Sequence, residues 1–373
     1  MNILIITPDY PDKDRSVYPF VKQLVDEFAS QGNRCYVVAP YSITKNKRRY
    51  EEEENVGENI TIYRPNHLSF STYRIGKVSP SQYLRQRAIN RTLRRLSLKP
   101  DMVYCHFWEC ALEGYAYAKE NHIPLFVASG ESNISTLLKN KTIPSGLKDY
   151  VSGVICVSTK NKEKSISLGL TTEEKCFVKP NAVNNELFRK LDKVTCRKKL
   201  GLPLDAFIIS FVGSFVERKG ANRVAAAIKS LSGAPVYSIF AGRGNVEPDC
   251  ENILFKGTLH HEEIPEYLNA SDVFVLPTLA EGCCNAIVEA MACGVPIISS
   301  NRPFNWDVLN DSNSIMIDPE NVQEIANAIK ELRDDPEKRI ALSGGALETA
   351  KNLTIEERAD SILNFIKERI QKN

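Results

Sequence analysis

The sequence predicts an α/β protein made of two successive doubly wound, parallel-sheet domains. Three observations carry this. Short apolar runs of strand length alternate with segments of helical apolar spacing, the order that covers a parallel sheet with helices on both faces. The alternation is interrupted around residues 180–201 and then begins again. And 373 residues exceed what one hydrophobic core ordinarily serves.

The elements follow in order. Residues 2–7 form a continuous apolar run ending at Pro8, as a strand buried on both faces would. Phe20, Val21, Leu24, Val25 and Phe28 have helical spacing over residues 19–31, closed by Gly32. A strand follows at 35–39. Residues 45–58 carry a basic block and then the acidic run Glu51 to Glu54, which predicts a mobile surface loop. Residues 83–98 read as a helix bearing Arg85, Arg87, Arg91, Arg94 and Arg95. Strands at 102–105, 125–128 and 153–157, with a helix at 110–120, complete the first half. The second half begins with a strand at 207–213 and a helix at 223–231. Strands at 236–241, 253–256, 273–277 and 295–299 follow, with helices at 264–269 and 285–293, the latter stopped by Gly294. The last residues, 355–372, have the spacing of an amphipathic helix. The domains are expected at residues 1–188 and 189–355. In sheets of this kind, ligands bind at the carboxyl ends of the strands.

Composition narrows the function classes. With 43% hydrophobic and 25% charged residues, the chain is neither disordered nor of low complexity. No apolar run approaches membrane-span length, and residues 1–8 read as a core strand, not as a signal peptide. The ten cysteines show no CxxC spacing, which predicts reduced thiols in a cytoplasmic protein and no structural zinc. The net charge of +2 conceals a split: residues 1–190 hold 28 Lys+Arg against 20 Asp+Glu, and residues 191–373 hold 20 against 26. The arginines of residues 83–98 lack interleaved aromatics, so nucleic acid is not the expected partner.

The densest chemistry lies in residues 277–296. A strand ends at Pro277, a loop carries Glu281 and Gly282, and a helix begins near Asn285. Unpaired backbone N–H groups and the helix dipole at such a start suit a phosphate. Glu281 and Glu289 flank it, and carboxylates accept paired hydrogen bonds from sugar hydroxyls. A site with both properties suits a diphosphate between two polyols, as in a nucleotide sugar. Arg218 and Lys219 precede a helix, where cations are mildly unfavourable unless an anion binds there. The Gly242-Arg243-Gly244 turn lacks the third glycine of a dinucleotide fingerprint, which argues against a nicotinamide enzyme. Asp12-Lys13-Asp14 is too short a pattern to signal a metal, and His260-His261 are read as residues capping the helix that follows.

The spacing Glu281-x7-Glu289, followed by Ala-Met-Ala-Cys-Gly-Val-Pro, resembles the signature of retaining glycosyltransferase family 4. Residues 212–220, 240–244, 270–277 and 180–188 resemble further segments of that family in the same order. The resemblance implies the GT-B architecture, two facing Rossmann-like domains with an interdomain cleft, and a final helix (356–373) that packs back on the first domain. It implies that Glu281 hydrogen-bonds the transferred sugar, that Glu289 holds the ribose hydroxyls, and that Lys219 meets the donor diphosphate. Where the family often has an arginine this chain has Ser214, so Arg218 is expected to supply the second cation. Gly213, Ser214, Gly242, Arg243, Gly282, Cys283, Cys284 and Asn285 line the implied donor site. The two cysteines are read as compact packing residues near the phosphate, with no thiol catalysis.

On the acceptor side the resemblance points to His106, Ser129 and Glu131. Ser129 stands where the family often has a histidine, and the family's double glycine after the first strand is absent. The implied activity is a retaining, metal-independent transfer of a hexose-type sugar from a nucleotide diphosphate donor, UDP- or GDP-linked, to an acceptor hydroxyl in surface glycan synthesis. No cofactor or metal is expected. The partners are the donor, a glycan or lipid-linked saccharide acceptor, and an anionic membrane surface met through Arg85, Arg87, Arg91, Arg94 and Arg95. The chain is expected in the cytoplasm, peripheral on the inner face of the membrane. The alternative is a non-catalytic nucleotide-sugar-binding subunit of a glycan assembly complex.

Overall fold

The computed structural model describes residues 1–373 except 14, 16, 45–48, 71–72, 74–78, 97–98 and 373. Asp14 of the Asp-Lys-Asp pattern, residues 45–48 of the basic block and residues 97–98 of the arginine helix lie outside the described residues. The chain divides into two compact units, one formed by Met1–Lys179 with Arg358–Asn373 and the other by Pro180–Glu357.

The strands of the first unit are β1 (Asn2–Ile6), β2 (Arg34–Val38), β3 (Tyr41–Ser42), β4 (Glu53–Val56), β5 (Ile60–Tyr63), β6 (Asn66–His67), β7 (Met102–His106), β8 (Leu125–Ser129), β9 (Val151–Cys156) and β10 (Cys176–Val178). Eight of them make one sheet in the order β10-β9-β8-β7-β1-β2-β5-β4. Neighbours pair in parallel except β4, which runs antiparallel to β5. The helices of this region are α1 (Pro19–Ser30), α2 (Pro80–Arg95), α3 (Trp108–Glu120), α4 (Ile134–Leu138), α5 (Leu147–Tyr150) and α6 (Thr159–Ser167). Ile3 to Ile6 are at most 1% exposed, so β1 is covered on both faces, as its unbroken apolar run requires. Proline opens both α1 and α2, where its fixed φ and missing N–H cost nothing.

The second unit holds β11 (Phe207–Val212), β12 (Val236–Ala241), β13 (Ile253–Gly257), β14 (Val273–Leu276), β15 (Ile297–Ser300) and β16 (Ser314–Ile317), a parallel sheet ordered β13-β12-β11-β14-β15-β16. Its helices are α7 (Lys193–Leu200), α8 (Ala221–Ser230), α9 (Ile264–Asn269), α10 (Asn285–Ala292), α11 (Val322–Asp334) and α12 (Pro336–Ala350). The final helix, α13 (Ile355–Lys372), passes into the first unit. There Ile362 and Ile366 are fully buried and Phe365 stacks on Phe177 with ring centroids 5.1 Å apart. Gly153 makes room for it, because a Cβ at that position would lie 2.7 Å from the Phe365 ring. Both units are Rossmann-like α/β layers, as the alternation predicts.

Three expectations need correction. The expected boundary after residue 188 falls instead after Lys179, because residues 180–188 bond within the second unit. Asn181 donates to Cys283 O and Asn285 Oδ1, Val183 N donates to Leu353 O, and Phe188 packs on His261. The acidic part of the expected 45–58 loop is an edge strand, since Glu53 to Val56 pair with Ile60 to Tyr63. All four β4 side chains are exposed, so the segment has no apolar alternation to mark it as a strand. Third, the arginine helix does not present all five arginines to solvent. Arg85 turns inward, where its Nε and Nη2 donate to the two Glu113 carboxylate oxygens at 2.6 and 3.2 Å. Arg87, Arg91, Arg94 and Arg95 are exposed. Among the described residues no helix is long and apolar enough to cross a membrane.

Candidate active site

Three adjacent strands of the second unit, β12, β11 and β14, end side by side, and their carboxyl-end loops hold one another. Gly213 N donates to Ala241 O, Phe215 N to Arg243 O, and Leu279 N to Arg218 O, at 2.8–2.9 Å. The approach leaves no room for side chains: a Cβ on Gly242 would lie 1.9 Å from Gly213 O, and one on Gly244 2.1 Å from Phe215 O. The Gly-Arg-Gly turn is therefore required by close packing of backbone on backbone. Ser214 and Arg243 stay exposed beside it.

This packing brings Arg218 and Lys219 from the β11 loop to Glu281 from the β14 loop. Glu281 Oε1 accepts from Arg218 Nη1 at 2.7 Å, from Lys219 Nζ at 2.7 Å and from Thr278 Oγ1 at 2.8 Å. Glu281 is 8% exposed. Burial works to raise its carboxyl, but the charges and hydrogen bonds of Lys219 and Arg218, with the Thr278 hydroxyl, hold it below the usual carboxylate range. Burial likewise works against the Lys219 ammonium, and the charge and hydrogen bond of Glu281 hold it above its ordinary value. Two fixed cations thus face one carboxylate, a local excess of positive charge that suits an arriving anion.

Gly282, Cys283 and Cys284 lead buried into α10, where Cys284 is the N-cap and no side-chain oxygen caps the helix. Lys219 Nζ lies 3.8 Å from Cys284 Sγ, placing the cation beside this helix start. Burial pushes the Cys284 thiol up despite that cation, so it stays protonated near neutral pH. Asn181 braces the turn from the side, as described above. One turn into α10, Glu289 Oε1 lies 3.0 Å from His261 Nε2. The arrangement joins an uncapped helix start, two cations and two carboxylates at the carboxyl edge of one parallel sheet.

In the first unit, His106 ends β7 and Ser129 ends β8, next to Gly130 and Glu131. All three predicted residues are buried, at 4%, 0% and 8% exposure for His106, Ser129 and Glu131. Glu131 Oε1 accepts from Trp108 N at 2.7 Å and Oε2 from Ser129 Oγ at 3.0 Å, while Asn161 Nδ2 bonds Ser129 O and Glu131 O. Burial raises the Glu131 carboxyl to about 7, against these hydrogen bonds. Among the described residues His106 Nε2 is buried with no hydrogen-bond partner, and burial, then the Arg358 charge, lowers its imidazole to about 3. A separate cavity of about 430 Å³ lies at the carboxyl ends of β1 and β2, lined by Asp9, Arg15, Ser42, Ser69 and Arg85 among others. None of the three predicted residues lines it.

The chain is similar to known proteins. Residues 192–348 match the family model described as "Glycosyl transferases group 1". These residues are a glycosyl transferases group 1 domain. The chain is 27% identical over 354 residues to TuaC of Bacillus subtilis (strain 168), described as a teichuronic acid biosynthesis glycosyltransferase, with 88% of each chain covered. It is 27% identical over 290 residues to a UDP-Gal:alpha-D-GlcNAc-diphosphoundecaprenol alpha-1,3-galactosyltransferase of Escherichia coli, covering 71% of this chain and 74% of that one. Among solved structures, sucrose-phosphate synthase from Thermosynechococcus elongatus superposes with a TM-score of 0.82 at 17% identity, with 100% of both chains covered. Anabaena HepE in complex with UDP superposes with a TM-score of 0.77 at 17% identity, covering 99% of this chain and 100% of that one. At that identity the structures speak for the fold alone, which is GT-B.

Within the glycosyl transferases group 1 domain, the structure brings Arg218, Lys219 and Glu281 into one hydrogen-bonded group and sets Gly213, Gly242, Gly282, Cys283, Cys284 and Asn285 around it. The sequence reading missed Thr278 and Asn181, and it took His261 for a helix cap, whereas the His261 ring meets Glu289. Thr278 has a signal, since it follows a strand directly and stands three residues before Glu281. Asn181 and His261 have none, because their partners lie 104 and 28 residues away.

Proposed function

We propose that this chain is a retaining glycosyltransferase of family 4 type, moving a hexose from a UDP- or GDP-linked sugar to an acceptor hydroxyl of a surface glycan. The observation that carries the reading is the convergence of Arg218, Lys219 and Thr278 on Glu281 beside the uncapped start of α10. The donor diphosphate takes the two cations and the helix start. Glu281 orients the transferred sugar through its hydroxyls, and Glu289 accepts from the ribose. In transfer with retention, the bond from the sugar's anomeric carbon to the phosphate oxygen breaks while the acceptor oxygen bonds to that carbon on the same face. The acceptor proton passes to the leaving phosphate, whose growing charge Lys219 and Arg218 offset. These side chains supply the role that a metal ion would otherwise fill, so no cofactor is part of the proposal.

The relatives named for teichuronic acid synthesis and for a diphosphoundecaprenol acceptor support a glycan or lipid-linked saccharide as acceptor. A UDP complex of the HepE neighbour supports a uridine donor. His106, Ser129 and Glu131 are proposed to shape the acceptor side from beneath its surface. The protein is proposed to work peripherally at the cytoplasmic membrane face, through the exposed arginines of α2.

The test is nucleotide release from a panel of UDP- and GDP-sugars with and without a membrane extract as acceptor. Release that requires acceptor and persists in EDTA is expected. Donor binding with no acceptor-dependent release would instead support a non-catalytic binding subunit. Inversion at the anomeric carbon of the product would overturn retention.

A further inference from the structure

The two adjacent histidines His260 and His261 look alike in sequence, and the structure separates them. The His260 backbone N–H donates to Glu263 Oε2 at 2.6 Å, opening the turn into α9. The His261 ring turns inward instead. Its Nε2 lies 3.0 Å from Glu289 Oε1, and the two side chains are only 17% and 13% exposed. The ring of Phe188 packs against it with centroids 5.0 Å apart, so the imidazole has little freedom of its own.

Glutamate has three side-chain torsions, and holding its carboxylate in one orientation costs rotamer entropy unless a neighbour fixes it first. We propose that His261 is a positioning residue for donor binding: it holds the Glu289 carboxylate in the orientation that accepts the ribose hydroxyls, without itself touching the nucleotide. This rests on the reading of Glu289 as the ribose-binding carboxylate. Burial favours the neutral ring, but the Glu289 hydrogen bond and charge, and the nearby Glu262, hold the imidazole above its ordinary value. Because a carboxylate only accepts, the 3.0 Å contact places the proton on Nε2 in the neutral ring as in the charged one. Phe188 and Glu289 come from segments far apart in the chain, which is why neither residue alone announces the arrangement.

The experiment is calorimetric binding of UDP, GDP and ADP, each beside its 2′,3′-dideoxy counterpart, to the full chain and to His261→Ala, His261→Gln and Glu289→Gln. For the nucleotide that binds, His261→Ala should weaken the ribose form about tenfold, the scale of a lost hydrogen bond to a charged group. It should leave the dideoxy form unchanged. His261→Gln, which can still donate an N–H, should recover most of the loss. An equal loss for both forms in folded His261→Ala would reduce the residue to a packing role and overturn the proposal. Failure of Glu289→Gln to distinguish ribose from dideoxyribose would overturn the ribose reading itself. Binding of none of the three diphosphates by the unsubstituted protein would overturn the donor reading, and the positioning role with it.

Discussion

Glu281 receives three donors on one oxygen, so its partners cannot be altered independently. Replacing both Arg218 and Lys219 with alanine leaves a buried carboxylate without its two cations. Transfer should fall by about 10²–10³-fold, the usual loss when charge stabilisation of a leaving group is removed. An undiminished turnover rate in an acceptor-dependent nucleotide-release assay would refute the assignment of these cations. The first unit carries a second residue-scale prediction, on pH. His106 is lowered to about 3 in the fold, so its contribution to stability is present above its unfolded value near 6.5 and is lost as pH falls below that. Glu131 is raised to about 7, so its contribution is present below its unfolded value near 4.5 and is lost as pH rises through 7. The two slopes oppose each other where they overlap, from about 4.5 to 6.5, and nearly cancel. Glu131→Gln removes one of them. Its unfolding free energy should fall with decreasing pH in that window, by up to about 1.4 kcal/mol per unit, where the unsubstituted protein is nearly flat. Denaturant titrations at several pH values would show this, and parallel profiles for the two proteins would exclude it.

The elements proposed to carry function are loops at strand ends and one helix face. Helix α2 joins a buried side, Ile89 and Leu93, to an outward row of Arg87, Arg91, Arg94 and Arg95. Close to its start stand exposed Leu68, Phe70, Tyr73 and Tyr83, at 43%, 49%, 61% and 60% exposure. The Phe70 N–H bonds Ser81 Oγ, which ties that apolar segment to the helix. Basic side chains beside exposed aromatics suit the interface of an anionic bilayer. Vesicles containing anionic phospholipid should carry the protein upward in flotation, and vesicles of neutral lipid should not. Arg87→Glu with Arg91→Glu should abolish the effect. Arg85→Glu is not a test of the surface, because Arg85 is paired with Glu113 inside the fold. Equal flotation with neutral vesicles would remove the electrostatic part of the reading, and no flotation with either would remove all of it.

At the scale of the whole molecule, α13 is the element that returns the end of the chain to the first unit. Ile366→Ala deletes a fully buried side chain there and should destabilise that unit by about 2–5 kcal/mol. A drop of several degrees in Tm would report it, and an unchanged Tm would mean that α13 does not stabilise the unit. The central strands of both units were legible in the sequence because they are unbroken apolar runs, and so were the helices with a clean 3.6-residue period, whereas β5, β10, β16, α11 and α12 were not read from it. Also legible were Arg218, Lys219 and Glu281, which lie in the loops between such strands and the helices after them, and Glu289, one turn into the helix that follows. Less was legible at the sheet edge, where β4 is exposed along its length and has no apolar pattern to declare it. The domain boundary was misplaced for a related reason: residues 180–188 are polar and irregular, and only their bonds to Asn285 and Leu353 assign them to the second unit. Local periodicity therefore determined the class of the fold and the chain positions of its candidate chemistry. Tertiary structure decided which groups meet: that Arg85 turns inward to Glu113, that Glu131 receives the Trp108 N–H, and that His261 reaches Glu289. Those outcomes depend on contacts between residues far apart in the chain, and no local pattern encodes them.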